Sequence, residues 1–385
     1  MQRVYLDNNA TTALCPAASK AMSQAAVEFH GNPASQHQPG RLARRRLEQA
    51  RDAIAGLVGA STAGMRRDRL IFTSGGTEAN NHALRGAVGE DPRGKRLILS
   101  GIEHPSVALV ASHLETLGAR VERLPANQDG VVDVRQLAAS LTPETSLVSV
   151  MLGSNETGVL QPLQEVVAAC QALSVPVHTD ATQVVGKLPV DFQQLGVAML
   201  SFSAHKFHGP RGIGGLVVRH GFALPPLLHG QAGGERPGTP PVELSVGMQV
   251  ALQAWQAEQP ARQHRMLQLR DLLEELVLSD APDAVVVGRQ AARLPHTSCI
   301  ALPGIDRQAA QMALDREGVA CSTGSACASG SSEPSPTLVA MGLETRLVQG
   351  ALRFSLGAQT TREEILFAAS KIVLVFRRLQ AQKTL

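Results

Sequence analysis

Residues 201–215 read SFSAHKFHGPRGIGG. The apolar run at 197–202 has the composition of a buried strand, and Gly209, Pro210 and Gly212 mark the turn that follows it. Lys206 therefore stands between His205 and His208 just past a strand end. A lysine in a loop is ordinarily a solvated surface residue. Held in place and partly buried beside cationic neighbours, it sheds its proton more readily and becomes a nucleophile.

Three further stretches place polar groups at strand ends. Residues 70–78, LIFTSGGTE, run from a strand into a Gly-Gly turn and a helical segment, which sets main-chain N–H groups and the Thr77 hydroxyl at a helix N-terminus, a natural phosphate site. Residues 175–181, VPVHTDA, end a strand on Asp180. An aspartate there serves either the ring nitrogen of a pyridine cofactor or a helix cap. Residues 97–104, LILSGIEH, bring His104 past another apolar strand, where it either lies on a cofactor ring or caps the next helix. Phosphate cradle, ring-nitrogen acid, stacking imidazole and nucleophilic lysine together suggest one pyridoxal 5'-phosphate site.

With these blocks in view, the sequence resembles the cysteine desulfurases of the NifS/IscS type, within the aspartate-aminotransferase-like, class V pyridoxal phosphate enzymes. The resemblance runs nearly end to end. Its blocks are YLDNNATT at 5–12, GNPAS at 31–35, FTSGGTEANN at 72–81, EH at 103–104, SNETG at 154–158, HTDATQ at 178–183, the 201–214 stretch, RPGT at 236–239, STGSACASGSSEPS at 322–335 and RFSLG at 353–357. It implies the type I fold of pyridoxal phosphate-dependent transferases. A large cofactor-binding domain at 16–249 is expected, with a mainly parallel sheet flanked by helices. A smaller α/β domain at 250–385 is expected to be joined by residues 1–15.

The resemblance also implies roles. Lys206 joins the cofactor, Asp180 pairs with its ring nitrogen, and His104 stacks on the ring. Asn155 and Gln183 bond its phenolic oxygen. Gly76, Thr77, Ser203 and His205 lie on the phosphate side, and Thr239 reaches the phosphate of a neighbouring subunit, so a homodimer is expected. Arg353 takes the carboxylate of L-cysteine, with Asn32 and Asn155 close by. Cys327, among small residues and glycines, carries the transferred sulfur as a persulfide, for a sulfur acceptor or scaffold protein in iron–sulfur cluster or thio-cofactor assembly. Cys321 is expected to be a packed strand-end residue. Within enzymes the alternative is a selenocysteine lyase or another lyase of this fold, and Cys327 argues against one that needs no thiol. Outside enzymes it is a non-catalytic scaffold, which has no need of Lys206, Asp180, His104, Cys327 and Arg353 together. Two departures fall on the dimer-facing loop: the segment 230–236 is short and carries Ala232 where a Glu is usual, and Pro240 and Pro241 follow Thr239.

Composition sets limits. The 385 residues suffice for two or three domains, and a net charge of +3 spread along the chain does not point to nucleic acid as the main partner. The five cysteines form no CxxC and no Cys/His spacing of a metal site, which suits a reducing, cytoplasmic compartment. The first residues read directly into a strand, with no signal peptide expected, and no apolar run approaches the roughly 20 residues of a spanning helix. Strands are expected at 70–73, 96–100, 120–124, 146–151, 176–179, 199–203 and 214–218, alternating with helices as βαβ units do. A helix over 39–58 has Ala43, Leu47, Ala50 and Ile54 inward, Gly59 at its end and its arginines in solvent. Thr361 and Glu364 form a capping-box pattern at the start of the last helix.

Overall fold

The computed structural model describes residues 3–230, 235–324 and 333–381. Cys327 lies outside the described residues. Twelve strands are numbered in chain order: β1 (Val4–Tyr5), β2 (Arg69–Thr73), β3 (Arg96–Ser100), β4 (Arg120–Leu124), β5 (Thr145–Ser149), β6 (Val177–Asp180), β7 (Met199–Ser203), β8 (Gly214–Val218), β9 (Val285–Val286), β10 (Thr297–Ala301), β11 (Val319–Ala320) and β12 (Ala351–Ser355). Seven of them form one sheet in the order β2-β8-β7-β6-β5-β3-β4.

The apolar composition of β2, β3, β7 and β8 follows from a sheet covered on both faces, whereas β5 and β6 bury polar side chains and the edge strand β4 is partly exposed. Successive residues alternate between two cores. Leu70, Phe72, Ile98, Val148, Leu200, Phe202 and Val217 pack on one side, and Ile71, Leu97, Leu99, Leu147, Met199, Leu216 and Val218 on the other. The sheet is parallel except for β8, which runs antiparallel to both β2 and β7. The reason is the short link from β7. A parallel return needs a crossover of a dozen or more residues, whereas this connection is a turn, and the turn carries Lys206.

The helix Gln38–Leu57 buries Ala43, Leu47, Ala50 and Ile54 as its periodicity requires. Arg41, Arg44 and Arg45 are exposed as expected, whereas Arg46 and Arg51 are half-buried. Arg46 donates to Gln249 Oε1 at 3.0 Å, Arg51 lies 4.6 Å from the centre of the Phe72 ring, and Arg44 donates to the Pro33 carbonyl at 2.7 Å. Long guanidinium stems cover apolar surface while their heads find acceptors, which polarity alone does not reveal.

A second core gathers Val4 and Leu6 with residues between 269 and 376, around the antiparallel sheet β12-β10-β9 and the parallel pair β1-β11. The break expected at 249/250 falls inside the helix Val242–Glu258, whose Met248, Ala251, Leu252 and Trp255 all belong to the first core. The closing helix Arg362–Ala381 starts with the capping box: Thr361 N donates to Glu364 Oε2 at 3.0 Å and Glu364 N to Thr361 Oγ1 at 3.3 Å. Among the described residues no helix is long and apolar enough to cross a membrane.

Candidate active site

A cavity of about 220 Å³ opens at the carboxyl ends of the central strands, the usual ligand position on a sheet of this kind. Three elements carry most of its polar lining. The first is the turn from β2 into the helix Gly76–Val88, which brings Gly76, Thr77 and Asn80 to the wall. The approach is close because β8 offers Gly214 opposite: a Cβ there would meet the main chain of Gly75 at 2.7 Å. Ser203 Oγ, Thr182 Oγ1 and Asn80 Oδ1 are buried here and have no hydrogen-bond partner among the described residues. Two unpartnered hydroxyls beside the N–H groups of a helix N-terminus make a donor-rich hollow that fits a phosphate group.

The second element is the end of β6. Asp180 is its last residue, and both carboxylate oxygens are held, Oδ2 by Asn80 Nδ2 at 2.7 Å and Oδ1 by Thr182 N at 2.9 Å. Two residues earlier, His178 is fully buried between Ser149 Oγ (2.8 Å from Nδ1) and Ser201 Oγ (2.9 Å from Nε2), a polar rung across β5, β6 and β7. Burial pushes its pKa down to about 4. His104 caps a helix and also lines the cavity. At the N-cap of the helix Pro105–Thr116, its Nδ1 accepts from Ser106 N at 3.1 Å. Burial, opposed by the Asp180 charge and reinforced by those of Lys206 and Arg353, lowers its pKa, so the ring is neutral at pH 7 and its proton is on Nε2.

The third element is the turn after β7, with the segment 9–12 packed beneath it. Lys206 Nζ donates to the main-chain oxygens of Asn9 at 2.6 Å and Ala10 at 2.8 Å. Gln183 Nε2 donates to the same Asn9 oxygen at 3.1 Å, while its Oε1 accepts from the buried Lys187 Nζ at 3.0 Å. The Asn9 side chain continues the network, with Nδ2 donating to Thr297 Oγ1 at 3.0 Å and to the Asn155 carbonyl at 3.1 Å, and with Oδ1 3.0 Å from His296 Nε2. His205 lines the cavity with its Nδ1 3.2 Å from Thr11 Oγ1, and burial, then the charge of Lys206, brings its pKa to about 4.

Nine of the residues singled out in the sequence thus line the wall of one cavity: Gly76, Thr77, His104, Asn155, Asp180, Gln183, Ser203, His205 and Lys206. Arg353 on β12 is buried just behind Asn155. Its Nη2 lies 2.7 Å from Asp7 Oδ1, its Nη1 donates to the Asn155 carbonyl at 3.0 Å, and its Nε is buried without a partner. Asn32 and Thr239 are exposed and outside this wall, although Arg236, three residues before Thr239, pairs with Glu78 at 2.9 Å on the first turn of the Gly76–Val88 helix. Asn80, Thr182, Asn9 and Lys187 are further parts of the site. Asn80 could have been found from its spacing, since it shares a helix face with Gly76 and Thr77. Cys321 is buried, its thiol pushed up to about 12 by burial, and Cys299 and Cys170 are likewise raised to about 12 and about 11.

Residues 4–366 match the aminotransferase class-V family. The chain is 42% identical to a cysteine desulfurase of Cereibacter sphaeroides, over 95% of this chain and 93% of that one. It is 38% identical to the cysteine desulfurase IscS of Dictyoglomus turgidum, over 98% and 96% respectively. Among solved structures, a NifS-like protein superposes with a TM-score of 0.89 at 32% identity, covering 98% of this chain and all of that one. The structure of SspA in complex with cysteine does so with a TM-score of 0.79 at 29% identity, over 93% and 99%. By sequence and by fold, this chain belongs to the aminotransferase class-V family.

Proposed function

We propose that this chain is a cysteine desulfurase that uses pyridoxal 5'-phosphate to take sulfur from L-cysteine and release L-alanine. The observation that carries the proposal is the single cavity in which a lysine, an anchored aspartate, a neutral imidazole and unpartnered hydroxyls at a helix N-terminus converge. Pyridoxal phosphate supplies an electron sink for the pair left at the substrate Cα when its proton departs. Thr77, Thr182 and Ser203, with the N–H groups of the Gly76–Val88 helix, would hold the phosphate. Asp180, fixed by Asn80 and Thr182, would hold the ring-nitrogen proton, and Gln183 and Asn155 would face the phenolic oxygen.

Lys206 Nζ is the base positioned to take the Cα proton, and the neutral His104 offers Nε2 for a second transfer. Arg353 would pair with the substrate carboxylate, supported by the unpartnered Nε next to Asn155. The part given to Cys327 rests on sequence. Its thiolate attacks the substrate sulfur, an S–S bond forms, and the Cβ–S bond breaks with its electron pair left on carbon, where protonation leads to alanine. Buried and raised in pKa, Cys170, Cys299 and Cys321 are unsuited to that task.

The proposal includes a cytoplasmic homodimer in which the exposed Thr239 serves the partner's phosphate site, and a division into two units near the helix Val242–Glu258. It also includes a sulfur acceptor or scaffold protein as partner. The decisive experiment incubates the protein with L-cysteine and measures alanine per subunit, with persulfide located by mass spectrometry. Cys327→Ser should retain pyridoxal phosphate and lose alanine production. Wild-type alanine output from that variant would replace the persulfide route with direct elimination.

A further inference from the structure

Glu103 lies three residues past β3 and is buried, yet it has no role in the proposed chemistry. Its Oε1 accepts two hydrogen bonds, from Ser100 Oγ at 2.5 Å and from the main-chain N–H of Met151 at 2.7 Å. Its Oε2 is buried and receives none from the described residues. A buried carboxylate needs donors on both oxygens or a cation beside it. Glu103 has one oxygen served, and among the described residues no lysine, arginine or histidine forms an ion pair with it.

The charged group that acts on Glu103 is Asp180, from β6, and it carries the same sign. The neighbouring β5 meets Glu103 with main chain only, at Met151, and β4 approaches the same turn with the Leu124 carbonyl, which accepts from Gly101 N at 2.7 Å. His104, the next residue, is neutral at pH 7 and faces the cavity.

The bond to Met151 spans two walls of the site. Met151, Gly153 and Asn155 line the cavity on the segment after β5, and His104 lines it on the turn after β3. We propose that Glu103 is a positioning residue that acts as an un-ionised carboxylic acid, fastening the 151–155 wall of the cavity to the turn that carries His104. Burial, aided by Asp180 and opposed by the bonds from Ser100 and Met151, raises its pKa to about 8.

The sign of the pH effect follows. The folded state holds a proton on Glu103 that the unfolded chain releases near pH 4.5. The associated stability is therefore full below that pH and is lost progressively up to about pH 8. Glu103→Gln keeps an acceptor for Met151 N–H and, like the protonated acid, carries no charge.

The Glu103→Gln variant should melt no lower than wild type at pH 5, and above it by a margin that widens to about pH 8. In cofactor-free wild type at pH 7, infrared spectroscopy should show a protonated carboxylic-acid carbonyl band that Glu103→Gln removes. Glu103→Ala, or the bulkier Glu103→Met if the alanine variant does not fold, should bind pyridoxal phosphate about tenfold more weakly, because Met151 N–H loses its partner. A Glu103→Gln protein that melts below wild type at pH 8, or a margin that does not change with pH, overturns the un-ionised state. Unchanged pyridoxal phosphate affinity in both the Ala and the Met variants overturns the positioning role. The melting and infrared arms do not depend on which ligand the cavity takes, so they separate this proposal from the proposed activity.

Discussion

The two ends of the cavity are hydrogen-bonded in opposite ways. Around Lys206 the donors and acceptors serve one another: the Asn9 carbonyl accepts hydrogen bonds from both Lys206 and Gln183, and Asp180 has both oxygens engaged. At the N-terminus of the Gly76–Val88 helix, the Ser203 and Thr182 hydroxyls are buried with nothing to bond. The lysine end is preorganised and holds its geometry without a ligand. The helix end carries a deficit that an anion removes, so binding free energy arises there and positional accuracy at the other.

Substitution at the lysine end should have the largest effect. Lys206→Ala should lower alanine formation from L-cysteine by at least about a thousandfold, and the visible absorption that the bound cofactor gives wild type should change. A Lys206→Ala protein with an unaltered spectrum would remove Lys206 from the site. A smaller effect, of opposite sign in two states, is expected at the helix end. Ser203→Ala should weaken pyridoxal phosphate by roughly tenfold, the loss of one hydrogen bond to a charged group. The same change should leave the melting temperature of the cofactor-free protein unchanged or higher, because it deletes a buried hydroxyl without a partner. Equal destabilisation of the free and loaded forms would erase the contrast between the ends.

The smallest effect concerns acid. His178 and His205 both have pKa values lowered to about 4 by burial, against about 6.5 in an unfolded chain. The unfolded state gains protons first as pH falls, so the stability they contribute is full above pH 6.5 and is lost between there and about pH 4. His178→Gln should flatten the fall of the melting temperature across that window. An unchanged slope would show that the rung between Ser149 and Ser201 does not control acid unfolding.

Strands such as β3 and β7 were legible in sequence because a strand buried on both faces is apolar at most positions, and turns rich in Gly and polar residues mark where they end. The strand edges moved by a residue or two: β5 is Thr145–Ser149 although apolar character continues to Met151. The bonded lysine end was harder to read. Lys187 has the composition of a surface residue, and only the fold shows it buried against Gln183. Asn9 stands in a polar turn whose partners, Thr297 and His296, are brought to it by tertiary packing alone. Glu103 reads as an ordinary acid in a turn until Met151 N–H is found on it.

The network around Asn9 also bears on how the chain is made. Asn9 N donates to Ser355 Oγ, a partner 346 positions along the sequence, and β1 pairs with β11 at Val319 and Ala320. Synthesis therefore delivers the floor beneath Lys206 before the seven-stranded sheet, and the groups that lock this floor well after it. The seven-stranded sheet can assemble while synthesis continues, since β2 to β8 lie between residues 69 and 218. The lysine has its full setting only after β12 has emerged. Nascent chains halted before residue 351 would then present a folded sheet with an unfinished site, which delays the reactive amine until β12 joins it.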